Sequence, residues 1–301
     1  WLSVNTNPSL GNVFTVSINT ASTTPGVHHG VITLNSSAAN SAVTIPVTVE
    51  VTASGVPYVY FEGARNNATF LAGEPLAPNG IVALFGEQLS ANEPVQASSL
   101  PLTAELSGVR VLVNNKAAPI FYTSYNQVNF VIPPDTEPGE ALIQVERGGQ
   151  LGNTTTARIE QKAPRLLRLN LADYGIVVNQ DGTFPIPVTP GYPSRPARVG
   201  DALVIYALGL GATSPAVAAG VPSPVDPLAR TTVNYTVALG GGTIITPTTV
   251  TPFYVGLTPG LVGLYQINFT VPAEAPRGSN VSLALQSEDG IQSNIVRIAI
   301  E

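Results

Sequence analysis

Gln127-Val128-Asn129-Phe130-Val131-Ile132-Pro133 returns later in the chain as Gln266-Ile267-Asn268-Phe269-Thr270-Val271-Pro272. In both copies polar and apolar residues alternate until proline stops the run. In an extended chain that pattern places Val128 and Phe130, or Ile267 and Phe269, on one face and the amides on the other. Each copy then enters an acidic turn containing Pro and Gly, Asp135 to Gly139 in one and Glu274 to Gly278 in the other. A strand, a Gly-containing hairpin and a last strand follow in both. The hairpins are Arg147-Gly148-Gly149 and Glu288-Asp289-Gly290.

The parallel extends upstream. Asn79-Gly80-Ile81-Val82-Ala83-Leu84-Phe85-Gly86 matches Val199-Gly200-Asp201-Ala202-Leu203-Val204-Ile205-Tyr206 in order and punctuation. A repeat of roughly 120 to 140 residues is too long for a solenoid and suits a decorated sandwich domain. The reading is therefore two related β-sandwich domains, 54–161 and 162–301, meeting at Gln161-Lys162-Ala163-Pro164. Ser54-Gly55-Val56-Pro57 reads as a linker. Ahead of it, residues 1–53 give four period-2 runs: Trp1-Leu2-Ser3-Val4, Val13 to Ile18, Gly30 to Leu34 and Val43 to Val51. An immunoglobulin-like sandwich needs about seven strands, so this first domain is incomplete. No stretch has a 3.6 period, and Thr213 to Arg230 reads as a long loop with at most one helical turn. The predicted fold class is all-β, with tandem immunoglobulin-like β-sandwich domains of which the first is partial.

Composition agrees. Charged residues make up 11% of the chain, against roughly 25% in ordinary soluble domains. The 28 Gly and 27 Pro, with abundant Val, Thr, Ser and Asn, suit strands and turns. A net charge of −6 without a basic stripe argues against nucleic acid as a partner. The only lysines are Lys116 and Lys162, too few for a polybasic membrane anchor, and no apolar run approaches the ~20 residues of a membrane span. With no cysteine there is no disulfide, zinc-thiolate or thiol chemistry. The chain begins at Trp1 rather than Met, which reads as a processed, trimmed or excised chain, and with its Thr- and Asn-rich composition as an exported one, extracellular or on the cell surface.

Thr258-Pro259-Gly260-Leu261-Val262-Gly263-Leu264-Tyr265, running on into the second copy of the repeat, resembles an uncharacterised C-terminal domain abundant in large exported proteins of acidobacteria. Ala77 to Gly86, Gln127 to Pro133 and Tyr206-Ala207-Leu208-Gly209-Leu210-Gly211 fit the same pattern, so the resemblance covers roughly 57–301. It implies export and β-domains and carries over no catalytic residue. Residues 1–53 resemble the end of a BACON-type immunoglobulin-like domain through Trp1, His29-Gly30-Val31-Ile32 and the last Val-Thr-Val strand. Members of that family are often taken to bind carbohydrate or mucin.

Candidate chemistry is sparse. His28 and His29 are the only histidines, and alternation lets at most one of them face a given site. No Gly-x-Ser-x-Gly elbow supplies a nucleophile, and the pair reads as surface histidines in a hairpin turn. Asp135, Glu137, Asp181, Glu288 and Asp289 lie in turns rather than as the carboxylate pair of a glycosidase. Asn179-Gln180-Asp181-Gly182 has oxygen donors but lacks the ligand spacing of an EF-hand, and reads as a hairpin turn. Gly209-Leu210-Gly211 lacks the third glycine and the following helix of a nucleotide loop. No cofactor or metal is expected.

Two sets of residues remain. Tyr58, Tyr60, Tyr122, Tyr125, Phe253 and Tyr254 fall at strand ends or turns of both repeats, as candidate aromatic contact loops for sugar rings or as packing residues. The unfinished sheet of residues 1–53 offers candidate assembly strands in Trp1, Leu2, Val4, Phe14, Val16 and Ile18. Completed by a neighbouring subunit or by an outward-swapped Trp1–Leu10 arm, that sheet generates a head-to-tail homopolymer. The leading expectation is a non-catalytic structural or adhesive filament subunit. The alternative is an array of carbohydrate-binding modules with polysaccharide as partner.

Overall fold

The computed structural model describes residues 1–6, 13–21, 23–35, 42–171, 173–241 and 246–301. Every regular element among them is a β-strand, and the sheets are antiparallel. The chain divides into two units, Trp1–Val56 and Pro57–Glu301.

The first unit holds β1 (Leu2–Thr6), β2 (Phe14–Ile18), β3 (Gly26–Leu34) and β4 (Val43–Val51). They form two separate two-stranded sheets, β1-β2 and β3-β4. Register places Leu2 opposite Ile18 and Val4 opposite Val16, so these four share one face of their hairpin. Trp1 and Leu2 sit over Gly30 of β3, where a Cβ would come within 2.8 Å of Leu2 Cδ2. Val4, Phe14, Val16 and Ile18 stay between 37% and 49% exposed. His28 and His29 lie within β3, a correction to the turn expected for them: a nine-residue strand paired throughout with β4 runs straight through both. The described part of the Trp1–Leu10 segment is folded back as β1 beside β2, and residues 7–10 lie outside the described residues.

The second unit begins with β5 (Tyr58–Asn66), β6 (Ile81–Glu87), β7 (Val95–Gln96), β8 (Val109–Val113), β9 (Lys116–Ala118), β10 (Ile120–Thr123), β11 (Gln127–Val131), β12 (Gly139–Arg147) and β13 (Gln150–Ile159). A five-stranded sheet, β5-β6-β11-β10-β7, faces a four-stranded one, β13-β12-β8-β9. Leu84, Val128 and Phe130 of the first meet Val109, Val111 and Ile143 of the second in one core, so this is a β-sandwich.

The rest of the unit contains β14 (Arg165–Leu166), β15 (Val177–Asn179), β16 (Ala202–Leu208), β17 (Thr213–Ser214), β18 (Arg230–Thr231), β19 (Tyr235–Leu239), β20 (Thr248–Val250), β21 (Tyr254–Leu257), β22 (Tyr265–Thr270), β23 (Gly278–Ser287) and β24 (Val296–Ile300). The sheet β14-β16-β22-β21-β18-β17, with β15 also on β16, faces β20-β19-β23-β24. Leu203, Ile267 and Phe269 meet Val237, Leu283 and Ile298 in a second core. The expected loop from Thr213 to Arg230 contains no helical turn, and both its ends are strands: Thr213 pairs with Thr231 and Ser214 with Arg230. Two-residue strands are too short to show a period, which is why the sequence conceals them.

The two sandwiches touch. Leu102, Val131 and Val262 form a small apolar cluster, and the Leu102 amide donates to the Gly220 carbonyl at 2.8 Å. Arg165 Nε lies 3.1 Å from Glu74 Oε1, with both side chains largely covered.

Candidate functional site: an amide and tyrosine groove

Four of the five acids singled out from sequence have side-chain partners. Asp135 pairs with Lys116, whose hydrogen bond holds the carboxyl below the usual carboxylate range. Asp181 is held down by Thr183 and then by Arg195 Nε at 2.6 Å, and Asp289 by Lys162 at 2.6 Å and then by Ser287. A glycosidase acid needs a shift in the opposite direction. Glu288 accepts from Asn234 Nδ2 at 2.8 Å, and Glu137 stays in the acidic turn after Pro133. Among the described residues no three His, Cys, Asp or Glu converge as a metal site. Nor is any helix there long and apolar enough to cross a membrane.

Gly209-Leu210-Gly211 is an anchored bend. The Leu210 carbonyl accepts the Tyr235 hydroxyl at 2.7 Å, and the Gly211 carbonyl accepts Tyr265 Oη at 2.5 Å. Burial pushes the pKa of both tyrosines up.

The aromatic candidates separate sharply. Alternation sends Leu84, Val128 and Phe130 into the core, so their neighbours face outward from the five-stranded sheet. Register then aligns Arg65, Ala83, Asn129, Tyr122 and Gln96 in a row, one from each strand. In the next row Gln127 lies opposite Phe85. A bulge between Ile120 and Tyr122 inserts Phe121 as an extra residue. Bulges re-aim side chains, and this one leaves both Phe121 and Tyr122 partly exposed.

Around Tyr122 two open-sided hollows adjoin. One, of about 400 Å³, is lined by Asn67, Gln96, Phe121, Tyr122, Gln127 and Asn129 among others. The other, of about 380 Å³, lies between Tyr122, Ser124, Tyr125 and Asn126 on one side and Ser90 to Pro94 on the other. Gln127 Nε2 donates to Asn129 Oδ1 at 2.8 Å, which fixes both side chains. Each amide keeps further donor and acceptor capacity for a ligand.

Tyr60 and Tyr58 extend the aromatic surface along β5, with ring centroids 6.4 Å apart. Tyr60 donates to the Glu87 carboxylate, and that bond, aided by partial burial, pushes its pKa up to about 12. Tyr125 is 53% exposed at the β10–β11 turn.

The second repeat carries the same constellation in closed form. Tyr254 pairs with Asn268 as Tyr122 does with Asn129, and Gln266 Nε2 lies 3.3 Å from Asn268 Oδ1. Yet Tyr254 is only 5% exposed, which corrects its assignment as a contact-loop residue. Its ring lies along its own strand over Gly256, where a Cβ would come within 2.6 Å of the hydroxyl. The hydroxyl donates to the Leu257 carbonyl at 2.7 Å, and Arg230 Cζ caps the ring 4.9 Å from its centroid. Phe253 beside it is 57% exposed, and its carbonyl accepts from Arg230 Nη1 at 3.2 Å. Sequence reasoning found Tyr122 and Tyr125 but missed Gln96, Gln127 and Asn129 as site residues. The outward positions of the repeat motif were the signal available for the last two.

Fold and site together define an all-β protein of paired sandwiches with an open amide and tyrosine groove on one sheet. No family profile and no curated protein matches the chain. Solved structures similar to it include SGBP-B of the Bacteroides ovatus mixed-linkage glucan utilization locus, in complex with a mixed-linkage heptasaccharide. That likeness has 10% identity and a TM-score of 0.36, over 92% of this chain and 55% of that one. Domains of titin match at 10% identity and TM-score 0.18, over 100% of this chain and 83% of that one. An endo-fucoidan hydrolase of glycoside hydrolase family 107 matches at 9% and 0.16, over 100% and 37%. Overlaps this low leave the functional reading to rest on the groove itself.

Proposed function

We propose that this chain is a non-catalytic, exported bacterial surface protein that holds polysaccharide in the groove around Tyr122. One observation carries the reading. The row of Asn129, Tyr122 and Gln96 combines an aromatic face with amides of both hydrogen-bonding senses, in hollows of ligand size. Hydroxyl-rich rings with apolar faces satisfy both kinds of group at once. The ion-paired acids support the non-catalytic part.

The test is retention of the full chain by a panel of immobilised or gel-embedded polysaccharides. Tyr122→Ala removes a burial contact of roughly 1.5–3 kcal/mol and is expected to weaken retention about tenfold or more. Phe253→Ala, on the closed repeat, leaves retention unchanged. If the unmodified chain is retained by no member of a broad panel, the proposal falls.

A second reading, self-association through the first unit, has its own support. Glu50 is the only Asp, Glu, Lys or Arg in residues 1–53. Among the described residues both sheets are two-stranded, so each strand pairs on one edge within its own sheet, and Val4, Phe14, Val16 and Ile18 of β1 and β2 are exposed. Natural edge strands are commonly guarded by charge, and β1, β2 and β3 carry no Asp, Glu, Lys or Arg. On this reading light scattering and negative-stain microscopy of the full chain show ordered polymers growing with concentration. A monodisperse monomer at every concentration rejects it.

A further inference from the structure

We infer that the groove takes the interior of an extended, electrically neutral polysaccharide running over this sheet toward the β10–β11 turn, with Tyr122 standing between two adjacent subsites. This deepens the proposal above and rests on it. Tyr122 lines both hollows, so a ligand reaching from one to the other must pass its ring. The hollows are open-sided rather than closed around a chain end, which favours a polymer that enters on one side and leaves on the other. The first hollow already spans β11, β10 and β7, about 10 Å across at ~4.8 Å between neighbouring strands, and the second lies beyond it along β10, at the β10–β11 turn. A single sugar ring is too short to use both.

Neutrality follows from the lining. No Lys or Arg borders either hollow, and Glu93 is the only charged residue that does. Uronate or sulfate groups call for guanidinium or ammonium partners, and a carboxylate at the rim repels them. The amides of Gln96, Gln127 and Asn129 instead suit uncharged hydroxyls. Arg65 lies in the same row, but its guanidinium sits 5.4 Å from the Phe85 ring centroid and its Nε donates to the Glu62 carbonyl at 3.3 Å, away from both hollows. The second repeat adds no matching site, because Arg230 and the collapsed Tyr254 fill its equivalent. Of the two repeats, only the first carries the open form of the groove.

The experiment is calorimetric titration of the full chain with the neutral polymers that retain it, with their disaccharides and hexasaccharides, and with alginate as an acidic comparison. The hexasaccharide is expected to bind about tenfold or more tightly than the disaccharide. Tyr125→Ala in one hollow and Gln96→Ala in the other each weaken the hexasaccharide, while at most one of them affects the disaccharide. A disaccharide that binds as tightly as the hexasaccharide overturns the two-subsite groove while leaving glycan binding intact. Preferential binding of alginate overturns neutrality. Absence of binding by every polymer is a different failure, that of the glycan reading itself.

Discussion

Phe269→Ala should cost the protein about 3–5 kcal/mol of stability without removing polysaccharide retention under native conditions. Phe269 is fully buried on β22, where it joins Leu203, Ile267 and Leu283 in the core of the later sandwich. Truncating a buried phenylalanine removes its transfer free energy and leaves a cavity that closely packed neighbours fill only in part. The groove lies on the other sandwich, with its own core, so its amides keep their scaffold. Phe130→Ala is the informative comparison. Phe130 is the matching residue of the first copy, equally buried, and its strand carries Gln127 and Asn129 on the opposite face. Its loss should cost a similar amount and take retention with it at denaturant concentrations the Phe269 variant tolerates. Urea unfolding followed alongside a binding assay separates the two. Equal loss of retention in both variants would mean that the sandwiches do not have separable cores.

That comparison also shows what the sequence made legible. The alternation through Val128 and Phe130, repeated at Ile267 and Phe269, located two strands and their inward faces, because burial on one face of a sheet writes itself as period two. The same alternation placed Gln127 and Asn129 outward without revealing what stood beside them. Their partner Tyr122 owes its position to an extra residue at Phe121, and a bulge has no signature in a run of Ile, Phe, Tyr and Thr. Tyr254 was misplaced for a related reason. Its collapse depends on Gly256 two positions on and on Arg230, brought alongside by a two-residue strand. Pairings that short are decided by tertiary fit rather than by any local pattern. The aromatic residue alone could not tell an open copy from a closed one.

Gly209→Ala is the second substitution expected to act strongly, at about 2–4 kcal/mol by chemical denaturation. Gly209 has a φ of +72°, in the left-handed region that side chains disfavour, at about 1–2 kcal/mol. Space is the larger problem. A Cβ there would lie 2.4 Å from the Ala163 carbonyl oxygen, and that backbone is itself fixed, since the Ala163 amide donates to the Gly209 carbonyl at 2.8 Å. Relief by moving the bend is opposed from the other side. Tyr235 and Tyr265 hold the next two carbonyls from within the core, so a shift would leave buried hydroxyls without acceptors. Gly290→Ala isolates the conformational part, because Gly290 has a φ of +88° and open space where its Cβ would go. It should cost about 1 kcal/mol. If both variants lose the same amount, the contact with Ala163 contributes nothing and the anchored-bend account of Gly209-Leu210-Gly211 is wrong. If Gly209→Ala loses several times more, the bend is a rigid junction in which glycine is required by the approach of the Ala163 backbone.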